Sequence, residues 1–312
     1  MKNNLAIFTE NLSKIYYKNN QKVNALTNLT INIPRGCVYG LLGPNGAGKS
    51  TFINIIAGLV KKNSGEVNVG GIDLNKKPIE IRKIIGVVPQ ELNIDPFFTP
   101  YELLELQAGL YGVKKRDRKT IEILETMQLI DKKDAYARNL SGGMRRRLLI
   151  GKALVHDPEI IFLDEPTAGV DVELRMNLWE YIKSLSEKGK TICLTTHYLE
   201  EAEKLCDYIA IINNGKKVLE DKKENLLNLF SKRIVEFDIE KEIVKIPKTL
   251  EKYIKKNKYN QLTVEYDKKE INLSEIIKIL SDNNILFSEL KTYDEDLETI
   301  FLKFTSELYK KI

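Results

Sequence analysis

The sequence predicts an α/β fold built on a buried, largely parallel sheet, followed by a smaller α+β unit. Three observations carry this. Short, continuous runs rich in branched residues recur at Val38–Leu42, Ile84–Val88, Ile160–Leu163 and Thr191–Thr195, as expected of parallel strands covered on both faces. The first run leads into a glycine loop and then into a helix-forming stretch, Lys49–Ala57, stopped by Gly58. Residues 231–312 change texture, to alternating short strand and helix patterns.

Taken in order, residues 5–10 and 22–33 alternate apolar and polar positions, which predicts an antiparallel subdomain at the N-terminus. A helix-rich block follows the Ile84–Val88 strand, over about 91–157, where Tyr101–Tyr111 and Thr120–Leu129 space apolar residues by three and four. Tyr208–Ile212, Asn213-Asn214-Gly215 and Lys216–Leu219 read as a hairpin with a tight turn, closing a first domain over 1–230. The remaining residues, 231–312, predict strand 233–239, helix 247–255, strand 261–266, helix 274–284, strand 285–291 and helix 296–305. That order suits a small split α+β appendage. No internal repeat, low-complexity tract or heptad run interrupts the chain.

Composition narrows the function classes. At 312 residues the chain has ample core, and 43% hydrophobic with 30% charged residues is ordinary for a soluble protein. No apolar run approaches the roughly 18 residues that span a bilayer, and Met1-Lys2-Asn3-Asn4 leads into a strand-like stretch rather than a signal peptide. Cys37, Cys193 and Cys206 are scattered, which suits a reducing cytosol and excludes a Cys-x-x-Cys zinc site. The net charge of +5 lies wholly in residues 1–230, since residues 231–312 hold 16 basic and 16 acidic side chains. The tail is therefore no basic arm, and Arg145-Arg146-Arg147 is read as the solvated face of a helix rather than a nucleic-acid patch.

Two segments are built to face anions. Gly43, Pro44, Asn45, Gly46, Ala47, Gly48, Lys49 and Ser50, with Thr51 following, fit a phosphate loop between a strand and a helix. In such a loop backbone N–H groups wrap the phosphates, Lys49 neutralises β/γ charge and Ser50 offers its hydroxyl to Mg²⁺. The run Ile160–Leu163 then delivers Asp164 beside Ser50 for the metal's shell, and Glu165 past the strand end to polarise a water. The second anion-facing segment is Leu140-Ser141-Gly142-Gly143-Met144, where a Ser-Gly-Gly turn opens a helix. One nucleotide per chain does not need two cradles, so the second is expected to serve a nucleotide held by another subunit.

With these residues in order, residues 1–225 resemble the ATP-binding subunit of ABC transporters, a P-loop NTPase fold with a mixed sheet core, an antiparallel N-terminal subdomain and a helical subdomain. Leu140–Met144 corresponds to the family signature, and Asp164 follows Ser141 by 23 positions. Gln90 corresponds to the glutamine loop, Ala168-Gly169-Val170-Asp171 to the aspartate loop and His197 to the switch histidine. Tyr16 stands where the family places an aromatic against adenine; an ordinary core or surface aromatic is the other reading. A solvent-facing Gln90 after its strand, and a buried satisfied His197, are likewise the plain alternatives.

The resemblance implies ATP and Mg²⁺ as ligands, with Ser50, Gln90 and Asp164 around the metal. It implies catalytic roles for Glu165, His197, Gln90 and Lys49, and a head-to-tail pair of chains in which Ser141, Gly142, Gly143 and Asp171 complete the partner's site. Met144 in place of the commoner glutamine, the Ala-Gly-Val-Asp variant and the three arginines resemble the branch that works with ABC-2-type membrane permeases, mostly exporters of drugs and polysaccharides. The ending Asp296–Leu302 is similar to that branch's appendage. The implied location is cytoplasmic, on the inner face of the cell membrane. A non-transport ABC ATPase acting on ribosomes or DNA is the other class; those proteins usually carry two ATPase units, or a long coiled coil between loop and signature.

Overall fold

The N-terminal alternation becomes two antiparallel strands, β1 (Leu5–Lys18) and β2 (Gln21–Pro34), both longer than predicted. The structure is a computed structural model and describes residues 4–229, 232–240, 246–258, 260–294 and 297–305. In chain order there follow β3 (Val38–Leu42), α1 (Lys49–Ile56), β4 (Ser64–Val69), β5 (Ile72–Asp73), α2 (Pro78–Ile84) and β6 (Ile85–Val88). The middle of the chain holds α3 (Pro100–Leu110), α4 (Thr120–Thr126), α5 (Gly142–Leu154), β7 (Ile160–Asp164), α6 (Val172–Glu187) and β8 (Thr191–Thr196). Next come α7 (Leu199–Leu205), β9 (Tyr208–Asn213) and β10 (Lys216–Lys222).

β1 pairs with β2 on one edge and β4 on the other, giving an antiparallel sheet in the order β2-β1-β4-β5. Its alternation sends Ile7, Leu12, Leu29, Ile31 and Ile33 inward. The second sheet runs β10-β9-β3-β8-β7-β6 and is parallel except for the β9–β10 hairpin. Every residue of β3, β7 and β8 is buried, as their continuous apolar runs require. Helix α1 buries Phe52, Ile53, Ile55 and Ile56 in one core cluster that also takes in both sheets. Each such side chain contributes about 1.5–3 kcal/mol, so the strand ends stand on a rigid base.

Because β8 lies between β3 and β7, the segments after these three strands emerge side by side. They begin at Gly43, Glu165 and His197. The helical block has its own start signals. Thr99 and Glu102 form a reciprocal capping box at α3, with Pro100 leading. Ser141 caps α5 by accepting the Met144 N–H at 3.2 Å. The β9–β10 turn holds Asn214 at φ 48° and Gly215 at φ 73°, the paired left-handed conformations of a tight hairpin.

By contact the chain divides into two compact units, Met1–Lys223 and Glu224–Ile312. After α8 (Lys223–Leu229) the second unit contains β11 (Lys232–Ile239), β12 (Ile254–Lys258), β13 (Gln261–Asp267), α9 (Leu273–Asp282), β14 (Phe287–Asp294) and α10 (Leu297–Thr305). Its sheet is antiparallel, ordered β12-β13-β11-β14, with Ile276 and Leu280 of α9 in its core. The helix expected at 247–255 is a correction: the segment forms a single 3-10 turn, Glu251–Tyr253, and then β12. Leu250, Tyr253 and Ile254 have helical spacing, yet all three reach the core through the turn and the strand paired with β13. Asp296, which opens the appendage-like ending, lies outside the described residues.

Candidate active site

Strand β3 delivers the glycine loop and α1 carries it away. Gly48 sits at φ 108°, and a Cβ there would lie 2.5 Å from Ala25 O. A Cβ on Gly43 would lie 2.3 Å from Ile212 O. At both positions only glycine lets the loop press so closely on its neighbours. The hairpin turn buttresses it, since Gly215 N–H donates to Ala47 O at 2.9 Å and Gly215 O accepts from Thr27 N–H at 2.8 Å. No acidic side chain occupies the first turn of α1, so its N-terminal N–H groups and dipole are left for an external anion. Lys49 is buried and donates from Nζ to Gly43 O (2.7 Å) and Pro44 O (3.2 Å). Burial pulls its ammonium below the usual lysine range, opposed by Glu165 and Asp164.

A cleft of about 440 Å³ opens on this loop, walled by Val23–Ala25 of β2, Asn45–Thr51, Gln90 and Glu165. Its size is that of a small-molecule site. At the acidic end, Thr195 Oγ1 donates to Asp164 Oδ1 at 2.5 Å. Glu165 takes a left-handed backbone, φ 48°, where a non-glycine residue costs about 1–2 kcal/mol. Its N–H is held by both Thr195 O and Thr195 Oγ1, each at 3.1 Å, which fixes that conformation. The Glu165 side chain meets two of the expected partners. Gln90 Nε2 donates to Oε2 at 3.0 Å, and His197 Nδ1 lies 3.2 Å from Oε1.

The structure therefore joins Asn45, Gly46, Ala47, Gly48, Lys49, Ser50, Thr51, Gln90 and Glu165 around one cleft, with His197 on Glu165. Gly43 and Pro44 stand behind it as partners of Lys49. Gln90 is exposed, as a residue after its strand would be, but its side chain is bonded to Glu165, and His197 is no buried structural residue, its side chain being 41% exposed. Tyr16 pairs in register with Val23 of the cleft wall but does not line the cleft; Lys14 Nζ sits 4.8 Å from its ring centroid. Ser141, Gly142, Gly143 and Asp171 do not line it either. Ser141 caps α5, and Asp171 Oδ1 caps α6 by accepting the Leu174 N–H at 2.9 Å.

The arginine run corrects the sequence reading of a solvated face. Arg146 is 4% exposed and forks onto two consecutive carbonyls, Nη1 to Pro89 O and Nη2 to Gln90 O, both at 2.8 Å. Burial lowers its guanidinium pKa, with Asp164 and Glu165 opposing. Two charge-assisted bonds, each about 1.5–3 kcal/mol, offset the desolvation. Arg147 instead binds Met127 O at 2.9 Å, and Arg145 binds Leu140 O at 3.0 Å. The signal was in the spacing: Arg146 shares a helix face with the apolar Leu149 and Ile150. Thr195 was signalled only as a hydroxyl ending an apolar strand. A further buried carboxylate, Glu201, accepts from Thr167 Oγ1 (2.9 Å) and Trp179 Nε1 (3.2 Å).

The donors near the loop fit Mg²⁺. Asp164 gives a carboxylate already oriented by Thr195, Ser50 a hydroxyl and Gln90 an amide, all oxygen donors. No group of three His, Cys, Asp or Glu side chains among the described residues forms a metal cage. Magnesium suits such a set, since it takes one or two carboxylates plus substrate phosphates and water.

Comparison with known proteins gives the family. The ABC transporter family model matches residues 26–168. The linearmycin resistance ATP-binding protein LnrL of Bacillus subtilis is 40% identical over 211 residues, 67% of this chain and 67% of that protein. The chain belongs to the ABC transporter family. Within it, the Nod factor export ATP-binding protein I of Cupriavidus pinatubonensis is 40% identical over 205 residues, 65% of this chain. That alignment spans 63% of the Cupriavidus protein, a little under two thirds of its length. A dimeric ATP-binding cassette in a post-hydrolysis state, bound to ADP and Pi, matches with a TM-score of 0.64 and 30% identity, over 69% of this chain and 98% of that one. The ABC ATPase fold expected from the motifs is thus the fold observed. No helix among the described residues of this ABC protein is long and apolar enough to cross a membrane.

Proposed function

We propose that this chain binds and hydrolyses ATP to power an ABC-2-type membrane exporter, working as a head-to-tail pair on the inner face of the cell membrane. The observation that carries the reading is the Glu165 carboxylate, gripped by Gln90 on one oxygen and facing His197 on the other at the mouth of the phosphate loop. Relatives named for Nod factor export and linearmycin resistance support the exporter assignment.

In this reading the loop N–H groups and the α1 N-terminus hold the ATP phosphates, and Lys49 exchanges its carbonyl partners for phosphate oxygens. Ser50, Asp164 and Gln90 would hold Mg²⁺, which neutralises phosphate charge when bound. Glu165 takes the proton of the attacking water, and His197 orients that water against the γ-phosphate. Ser141 and the Gly142–Gly143 amides of a second chain close over the same phosphate. Such charge-assisted bonds are about twice as strong as neutral ones, so ATP holds the pair shut and hydrolysis releases it. Asp171 lies at the same junction, and Tyr16 offers a face to adenine at the cleft rim. Gln90 passes the state of the site to the helical block and so to the permease.

A lone chain has an incomplete site in this scheme. Specific ATPase activity should therefore rise with protein concentration across the dimerisation range. Activity per chain that stays constant on dilution to a monomer would overturn the composite site.

A further inference from the structure

Arg146 has no place in the hydrolytic scheme, yet it is the most buried cation of the run that follows Ser141. It lies five residues beyond Ser141, about 7.5 Å along one unbroken helix. At its far end it grips both carbonyls of the Pro89–Gln90 pair, and the Gln90 side chain reaches Glu165. One rigid element thus begins at the cradle and ends on the glutamine that seats the catalytic carboxylate.

We infer that Arg146 is a positioning residue coupling the two half-sites of a chain: it fixes Gln90 on Glu165 and ties that contact to the Ser141 turn offered to the partner's ATP. The inference rests on the composite-site reading above. A planar fork on two successive carbonyls sets the direction of the peptide between them, which a single-point ammonium does not. When a partner's γ-phosphate draws Ser141 inward, Arg146 draws Pro89–Gln90 with it. By linkage, the state of the chain's own site shifts the affinity of its cradle in return. Arg147 is the internal control, because it leaves the same helix for Met127 and Gln128 and makes no bond to the 89–90 pair.

The test uses the full-length chain with Arg146→Met, Arg147→Met, Gln90→Ala and the Arg146→Met/Gln90→Ala double variant. Turnover kinetics and amide hydrogen exchange of segments 87–92 and 140–146 are measured on each. Arg146→Met should lower kcat about ten- to a hundredfold, the cost of a misplaced catalytic contact, with KM for ATP little changed. Arg147→Met should stay within about twofold of wild type, and Arg146→Met should add no further loss in the Gln90→Ala background. Exchange should quicken in both segments of Arg146→Met together. Multiplying losses in the double variant, an equal kcat loss in Arg147→Met, or quickened exchange in only one segment would overturn the inference. Arg146→Lys, which keeps the charge without the fork, takes the place of the methionine variant if that one does not fold. A wild-type chain without ATP turnover would refute the ATPase reading, and the exchange arm would still decide the linkage.

Discussion

His197 Nδ1 lies 3.2 Å from Glu165 Oε1 while Gln90 Nε2 donates to Oε2 of the same carboxylate at 3.0 Å. The two partners come from different strand ends, β8 and β6, and meet on a residue that follows β7. Of these three strands, β7 and β8 are buried along their whole length and β6 at every position but Val87. Glu165 is thus oriented before any substrate arrives, which spares the reaction that reorganisation.

Replacing Glu165 by Gln removes the proton acceptor of the proposed scheme and keeps the shape. Turnover should fall about 10²–10⁴-fold, as for loss of a general base. ATP binding should persist, and the stalled pair should run as a dimer on gel filtration in ATP. Near-normal hydrolysis would remove Glu165 from the role of base.

Thr195→Val tests what holds the acidic end. The hydroxyl donates to Asp164 and accepts the Glu165 N–H, and the residue is fully buried. Valine leaves Asp164 Oδ1 without that donor, whereas Glu165 N–H keeps Thr195 O. The expected cost is about 1–3 kcal/mol, read as a lower urea midpoint at unchanged m. Turnover should drop as well, because Asp164 and Glu165 lose their shared anchor. An unchanged midpoint and unchanged turnover would contradict this.

Much of this was legible in the sequence, for physical reasons. The strands β3, β7 and β8 are fully buried, so each had to be a continuous apolar run, and the ends of those runs marked where Gly43, Glu165 and His197 leave the sheet. β4 carries little such pattern, since Ser64, Glu66 and Asn68 interleave its two buried valines, and β5 is only two residues long. β12 was misread because Leu250, Tyr253 and Ile254 obey helical spacing, while pairing with β13 decided otherwise. Arg146 was misread because charge runs on helices usually face water, and the carbonyls that repay its burial lie 56 and 57 residues away.

Glu201 gives a pH signature in stability. Burial pushes its carboxyl above the usual range, against bonds from Thr196, Thr167 and Trp179 and the charge of Arg175. A carboxyl raised in the folded state takes up protons on folding between the two pKa values. Its stabilising contribution is full below the unfolded value near 4.5 and is lost as pH rises through the folded value. Glu201→Gln should therefore unfold in urea at nearly the wild-type midpoint below that range and gain on wild type as pH rises to neutrality. A difference independent of pH would mean that Glu201 titrates alike in both states.

In the proposed pair the Ser141 cradle serves another chain's ATP, and mixing two dead variants decides whether it does. A Lys49→Ala chain and a Ser141→Arg chain should each be inactive alone. In a mixed pair, one site carries both defects and the other neither, so combining the two proteins should restore a substantial fraction of wild-type ATP turnover. Mixed pairs that form and remain inactive would contradict the shared site.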